Sequence, residues 1–160
     1  MISKTTIENT INDLDTEYNK HSGNEIFLSK LALMEFCGWI EQSFDEILRG
    51  YINSNSLKQD NIDYANKIIE DIYSFEESKI KKMFINVLGI VNFELVEIAL
   101  SSDWVQFKST LNNFYSKRCT AAHTHIVGTT QSFYAPSVIR TNLNNLFPIM
   151  QKIETEINRL

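Results

Sequence analysis

Apolar residues along this 160-residue chain recur every three or four positions, not at every second one. Ile7, Ile11, Leu14 and Tyr18 step by four, three and four, the stripe of a first amphipathic helix. Gly23, within His21-Ser22-Gly23-Asn24, can take the left-handed conformation that closes such a helix. Leu33, Phe36, Cys37, Ile40, Phe44, Ile47, Leu48 and Tyr51 then cover a wide arc of a second, long helix, which places it at the centre of the fold. Asn53-Ser54-Asn55-Ser56 reads as the loop that ends it. A third helical stretch starts near Asp60 or Asn61, either of which suits an N-cap, and buries Ile62, Ala65, Ile68, Ile69 and Ile72. It continues through residues 76–84, where Glu77 and Lys81 are spaced for an i, i+4 pair, and Gly89 stops or kinks it.

A short helix from about Asn92 to Leu100 follows, then Ser101-Ser102-Asp103 as an N-cap cluster. Trp104, Phe107, Leu111, Phe114 and Tyr115 form the inner face of the next helix. Gly128-Thr129-Thr130-Gln131-Ser132 is a loop of small residues, and Pro136 suits the first turn of a final helix. In that helix Ile139, Leu143, Leu146, Met150, Ile153, Ile157 and Leu160 alternate steps of four and three. Such a narrow seam serves a core or a dimer interface equally, and Pro148 should kink it. The pattern predicts one domain over residues 1–160, all-α, a bundle of about five helices.

Composition changes this picture little. A hydrophobic content of 43% and a charged content of 22% are those of an ordinary globular chain. Cys37 and Cys119 lack CxxC spacing and read as free thiols of a reducing compartment. The first residues are polar, and the most apolar run, Met83 to Val91, is too short for a bilayer. A soluble, cytoplasmic protein without a membrane partner is the expectation.

Charge changes the picture more. The chain carries −5, yet from Trp104 through Ile153 there is no Asp or Glu, while Lys108, Lys117, Arg118, Arg140 and Lys152 fall inside that span. Outside it, ten basic residues face all twenty acidic ones. One region of the molecule therefore favours an anion. At its centre, Lys117-Arg118-Cys119-Thr120-Ala121-Ala122-His123-Thr124-His125 holds two cations and two histidines. An Arg and a His on such a surface suit attack on an RNA phosphodiester, in which the 2′-hydroxyl is the nucleophile. Histidine can accept that proton or give one to the leaving oxygen, while arginine forks onto the phosphate oxygens. Hard cations want carboxylates, which the span lacks, and His123-Thr124-His125 lacks further ligands for zinc, so neither metal nor cofactor is expected. Lys117, Thr120 and Tyr134 are candidates for touching RNA backbone or stacking a base, with His125 as a helper. Against these stand plainer roles: Arg118 as a helix C-terminal cation, His123 as a structural histidine, His125 as a solvated residue and Tyr134 as core. Arg118 and His123 lie about 140° apart around an ideal helix. A twofold dimer would help by pairing two such helices over one cleft.

Arg118-Cys119-Thr120-Ala121-Ala122-His123 resembles the Arg-x(4–6)-His motif of HEPN domains, all-α nucleases and nucleotide-binding modules of defence and toxin systems. Lys79-Ile80-Lys81-Lys82-Met83-Phe84-Ile85-Asn86-Val87-Leu88-Gly89, followed by a helix and then the motif, is similar to the RiboL-PSP type. The resemblance implies a metal-independent endoribonuclease for single-stranded RNA, toxin-like or antiviral, with Arg118 and His123 catalytic at a homodimer cleft and an antitoxin as a further partner. Ala122 fits the family's small-residue preference before the histidine. Cys119 stands where active members usually carry a polar residue, often Asn. The alternative is accordingly a catalytically silent HEPN module that binds RNA, a nucleotide or a protein.

Overall fold

The computed structural model describes residues 1–126 and 132–160. Among them are seven helices and no strand: α1 (Thr5–Tyr18), α2 (Glu25–Asn55), α3 (Gln59–Glu70), α4 (Glu77–Leu88), α5 (Ile90–Leu100), α6 (Ser102–His123) and α7 (Pro136–Ile157). The all-α bundle stands, with more helices than the five or so expected. None of the helices is long and apolar enough to cross a membrane.

α2 takes the central place that its wide apolar arc implies. It is in contact with α1, α3, α4, α6 and α7, and at 31 residues it runs for about 46 Å. The stripes of α1, α6 and α7 also face inward: Ile7 and Ile11, Trp104, Phe107, Leu111 and Phe114, and Ile139 through Ile157 of the four-three seam are all buried. That seam is core, and only its last member, Leu160, emerges. Pro136 opens α7 as expected, and Pro148 sits inside it.

Aromatic rings tie the centre together in a closed cycle. Phe44 of α2 meets Phe84 of α4 edge-on at 5.9 Å, and Phe84 meets Phe93 of α5 at 5.9 Å. Phe93 meets Trp104 of α6 at 5.7 Å, Trp104 stacks on Phe107 at 5.1 Å, and Phe107 returns to Phe44 at 5.7 Å. Each such contact contributes about 0.5–1.5 kcal/mol beyond its buried area. The cycle fixes the first half of α6 against three other helices and thereby aims its second half.

Four expectations change. The third helical stretch is two helices, because residues 71–76 leave the helical path to drive Phe75 into the core. There the Phe75 ring meets Tyr115 edge-on at 5.9 Å, and the Ser74 hydroxyl accepts the backbone N–H of Glu76. α3 starts at Gln59 with Lys58 as its N-cap, so neither Asp60 nor Asn61 caps it. Asn53–Asn55 belong to α2, where the Asn55 amide donates to the Tyr51 carbonyl and keeps the last turn wound. Lys81 pairs across helices with Glu97 at 3.5 Å instead of along its own helix with Glu77.

Ser101 caps α6 in a left-handed conformation (φ 48°) without a side-chain hydrogen bond, while Asp103 reaches Lys152 of α7 at 2.8 Å. Gly89 (φ 83°, ψ 154°) is both the C-cap of α4 and the N-cap of α5. The Gly128–Ser132 loop lies outside the described residues except for Ser132.

Candidate active site

The proposed site occupies the last two turns of α6. Its stripe of large apolar residues ends at Phe114, and beyond it only Ala121 is fully buried. The side chains that follow are therefore free to serve something other than the core.

Arg118 turns toward α2. Its Nη1 lies 3.2 Å from Oε1 of Glu41 and its Nη2 donates to Oε2 at 3.3 Å, while the guanidinium rides over the Phe75 ring at 5.8 Å. Both members of the pair are about a third exposed, 30% and 28%. Burial pushes the Glu41 carboxyl above its ordinary range; Arg118 pulls it back and Asp45 adds to the rise. The Oε1 contact is ionic without hydrogen-bond alignment, leaving that buried oxygen with no donor.

This pair corrects the acid-free premise. The span from Trp104 to Ile153 has no acid in sequence, yet three of its five cations take one from elsewhere in space. Arg118 takes Glu41, Arg140 takes Asp15 at 3.1 Å, and Lys152 takes Asp103. Lys108 and Lys117 make no ion pair among the described residues.

Lys117 points a different way. Its ammonium lies 4.2 Å from the centre of the Tyr134 ring, a cation–π contact, and Tyr134 leans on buried Phe114 at 6.0 Å. Lys117, Thr120 and Tyr134 line one cleft of about 160 Å³ together with Ser116, Ser132 and Phe133. Three of the four residues expected to bind substrate thus share one cleft, and the charge in it is that of Lys117.

His123 is the last helical residue and is exposed. α6 stays helical from Arg118 to His123, so no distortion offsets their 140° separation. Within one chain the helix carries the two side chains on different faces. His125, also exposed, lies beyond the C-cap Thr124, whose backbone is extended. The helix end is tied down twice: Thr124 Oγ1 donates to the Thr120 carbonyl at 2.7 Å, and Lys30 Nζ of α2 donates to the Thr124 carbonyl at 2.8 Å. A cation there satisfies a carbonyl at the negative end of the helix.

Two more features adjoin the site. The Tyr115 hydroxyl is raised above its ordinary range chiefly by a hydrogen bond with Cys119, and a second bond, to Ser74, lowers it. Beside the α6 end, Phe27, Leu28, Leu31 and Met34 of α2 and Ile126 line an open apolar depression of about 470 Å³.

Glu41, Lys30, Phe133 and Ser116 were not among the expected site residues. The only signal for Glu41 was an acid beside the buried Ile40 on the central helix. Among the described residues no group of three or more His, Cys, Asp or Glu side chains is arranged to hold a metal ion. No protein-family model, curated protein or solved structure matches this chain.

Proposed function

We propose that the chain is a HEPN-like, metal-independent endoribonuclease that cleaves single-stranded RNA through Arg118 and His123. The observation that carries this reading is the clustering of Lys117, Arg118, Thr120 and His123 on the last two turns of α6, beyond the point where its buried stripe ends. The 2′-hydroxyl oxygen attacks the adjacent phosphorus and the bond to the 5′-oxygen breaks, giving a 2′,3′-cyclic phosphate and a 5′-hydroxyl. His123 accepts the 2′ proton or donates one to the leaving oxygen. Arg118 offsets the added negative charge of the pentacoordinate phosphorus, with Glu41 orienting its guanidinium. Lys117 and Thr120 hold the neighbouring backbone, and Tyr134 borders a base.

Because α6 sends Arg118 and His123 to different faces, the reading uses two chains, each completing the other's cleft. The apolar depression of Phe27, Leu31, Met34 and Ile126 beside the α6 end supports such a pairing. A toxin-like or antiviral role in the cytoplasm, with an antitoxin as neutralising partner, belongs to the same reading.

The second reading is a silent HEPN module that binds RNA, a nucleotide or a protein. It is favoured by one observation: the Arg118 charge is already met by Glu41.

The test is cleavage of single-stranded RNA in EDTA by wild type, Arg118→Ala and His123→Ala. Wild-type cleavage lost in both variants is the expected result. No cleavage by any of the three across several RNAs selects the silent module, and cleavage by all three removes the site from α6. Light scattering that finds only monomers would end the two-chain cleft.

A further inference from the structure

Lys117 is a half-buried ammonium that no carboxylate neutralises among the described residues. Its neighbour Arg118, by contrast, is met by Glu41. A charge drawn partly out of water is costly unless other groups replace the lost solvation. The Tyr134 ring does so in part, with its centre 4.2 Å from the ammonium. A ring face attracts a cation but leaves its charge intact. The ring is itself braced by buried Phe114 at 6.0 Å, so the ammonium stands on a fixed support.

Two further features of the cleft that Lys117 lines suit an anion. Among the described residues no Asp or Glu lines it. Its helix hydroxyls are also unused. Thr10, Thr16, Thr110, Thr141 and Thr155 each donate to the carbonyl four residues earlier in their own helices. Ser116 and Thr120 donate to no protein group among the described residues. Spacings of one, three and four residues set Ser116, Lys117 and Thr120 on one side of α6, so their donors share one space. The negative end of the α6 dipole is offset at the Thr124 carbonyl by Lys30, one turn before the buried lining residue Leu33.

Size and donor number narrow the ligand. At about 160 Å³ the cleft is below the roughly 300–1,000 Å³ of sites that enclose a drug-sized molecule. It takes one small group, not a length of strand. A base stacking on Tyr134 would compete with the Lys117 ammonium for the ring. An ammonium brings three N–H donors and each hydroxyl one more. A phosphomonoester, with three terminal oxygens, uses more of these donors than a carboxylate with two.

We propose that this cleft is a phosphate subsite. Lys117 supplies the counter-charge, Ser116 and Thr120 donate to the phosphate oxygens, and Tyr134 is a positioning residue that holds the ammonium in place. The ligand is a single phosphate group, inorganic or the phosphomonoester of a nucleotide. The subsite stands on the cleft and not on the ribonuclease reading, since binding here needs neither Arg118 nor His123.

The experiment is titration calorimetry at constant ionic strength and neutral pH, with inorganic phosphate, uridine 5′-monophosphate and uridine as probes. Wild type should bind phosphate at one site per chain. Lys117→Met keeps the stem and removes the charge, and should weaken binding at least about tenfold. Lys108→Met removes an unpaired charge elsewhere on α6 and should leave binding unchanged. Thr120→Val should weaken it about two- to tenfold. Tyr134→Leu should weaken it about two- to fivefold, whereas Tyr134→Phe, which keeps the ring, should not. Circular dichroism should give the same helical content for every variant. Tighter binding of the monophosphate than of phosphate assigns the subsite to a nucleotide, and equal binding assigns it to the free anion; either supports the proposal. Three results would each overturn it: no saturable phosphate binding by wild type, uridine bound as tightly as its monophosphate, or Lys117→Met binding as tightly as wild type. RNA cleavage by a chain that binds no phosphate would end this proposal and leave the roles of Arg118 and His123 in place.

Discussion

The two halves of α6 are one continuous helix and serve opposite ends. In the first, Trp104, Phe107, Leu111 and Phe114 step by three, four and three into the core, and two of them belong to the aromatic cycle. In the second, Lys117, Arg118, Thr120 and His123 follow the same steric rules but meet an acid, a ring face, a cleft and solvent. The difference teaches that anchoring and chemistry are separable along a single element. The rigid half holds the other in place, and substitutions at the two ends should be felt in different measurements.

The largest expected effect is in the anchored half. Phe107→Ala removes a fully buried ring with two aromatic partners and should cost about 3–5 kcal/mol in denaturant unfolding. A loss under 1 kcal/mol would break the comparison at its stronger end.

Arg118→Ala should be intermediate. It leaves the half-buried Glu41 without its cation, and allowing for solvent screening of a pair that is about a third exposed, the cost is about 1–2 kcal/mol at neutral pH. The sign with pH follows from the direction of the Glu41 shift. Its carboxyl is raised in the folded state, so its contribution is fully present below the ordinary carboxylate range and is lost as pH rises through the raised value. Arg118 limits that loss. The gap between wild type and Arg118→Ala should therefore be widest near neutrality and close as the solution is acidified. A gap that stays the same across this range would show that Arg118 acts through packing on Phe75 instead.

The smallest effect on stability is expected at the exposed end. His123→Ala should stay within about 0.5 kcal/mol of wild type, while cleavage falls by about 10²–10⁴-fold if the histidine moves the proton. A variant that lost stability and activity together would make His123 a structural residue.

What was legible in the sequence divides along the same line. A helix that buries its own stripe writes that stripe at its own period, so α1, the first half of α6 and the α7 seam could be read directly. The break at residues 71–76 could not. Ile72 continues the spacing set by Ile68 and Ile69, and neither Gly nor Pro marks the exit; the cause is the place waiting for Phe75 in a core built by other helices. The electrostatics of the site were hidden for a similar reason. The absence of acids between Trp104 and Ile153 is a fact of one dimension, and Glu41 and Asp15 come from helices folded in from the other end of the chain. Lys117 and Thr120, three apart, share a helix face and could be grouped from spacing. That Tyr134 closes the same cleft depended on how the segment before α7 returns.

Gly89 has a consequence for how this chain can change over generations. Apart from its two chain neighbours, no atom lies within 4 Å of the place where a Cβ would stand, so packing alone would admit a β-carbon. Its φ of 83° and ψ of 154°, however, fall where a side chain brings strain of about 1–3 kcal/mol. With α4 ending on one side of it and α5 beginning on the other, no neighbouring linker can absorb a different angle. A lineage carrying this fold is thus held to one amino acid at a position that touches nothing. Drift at the buried Phe93, Val96 and Leu100 of α5 is filtered by the core that covers them, whereas drift at Gly89 would re-aim the whole helix in a single step.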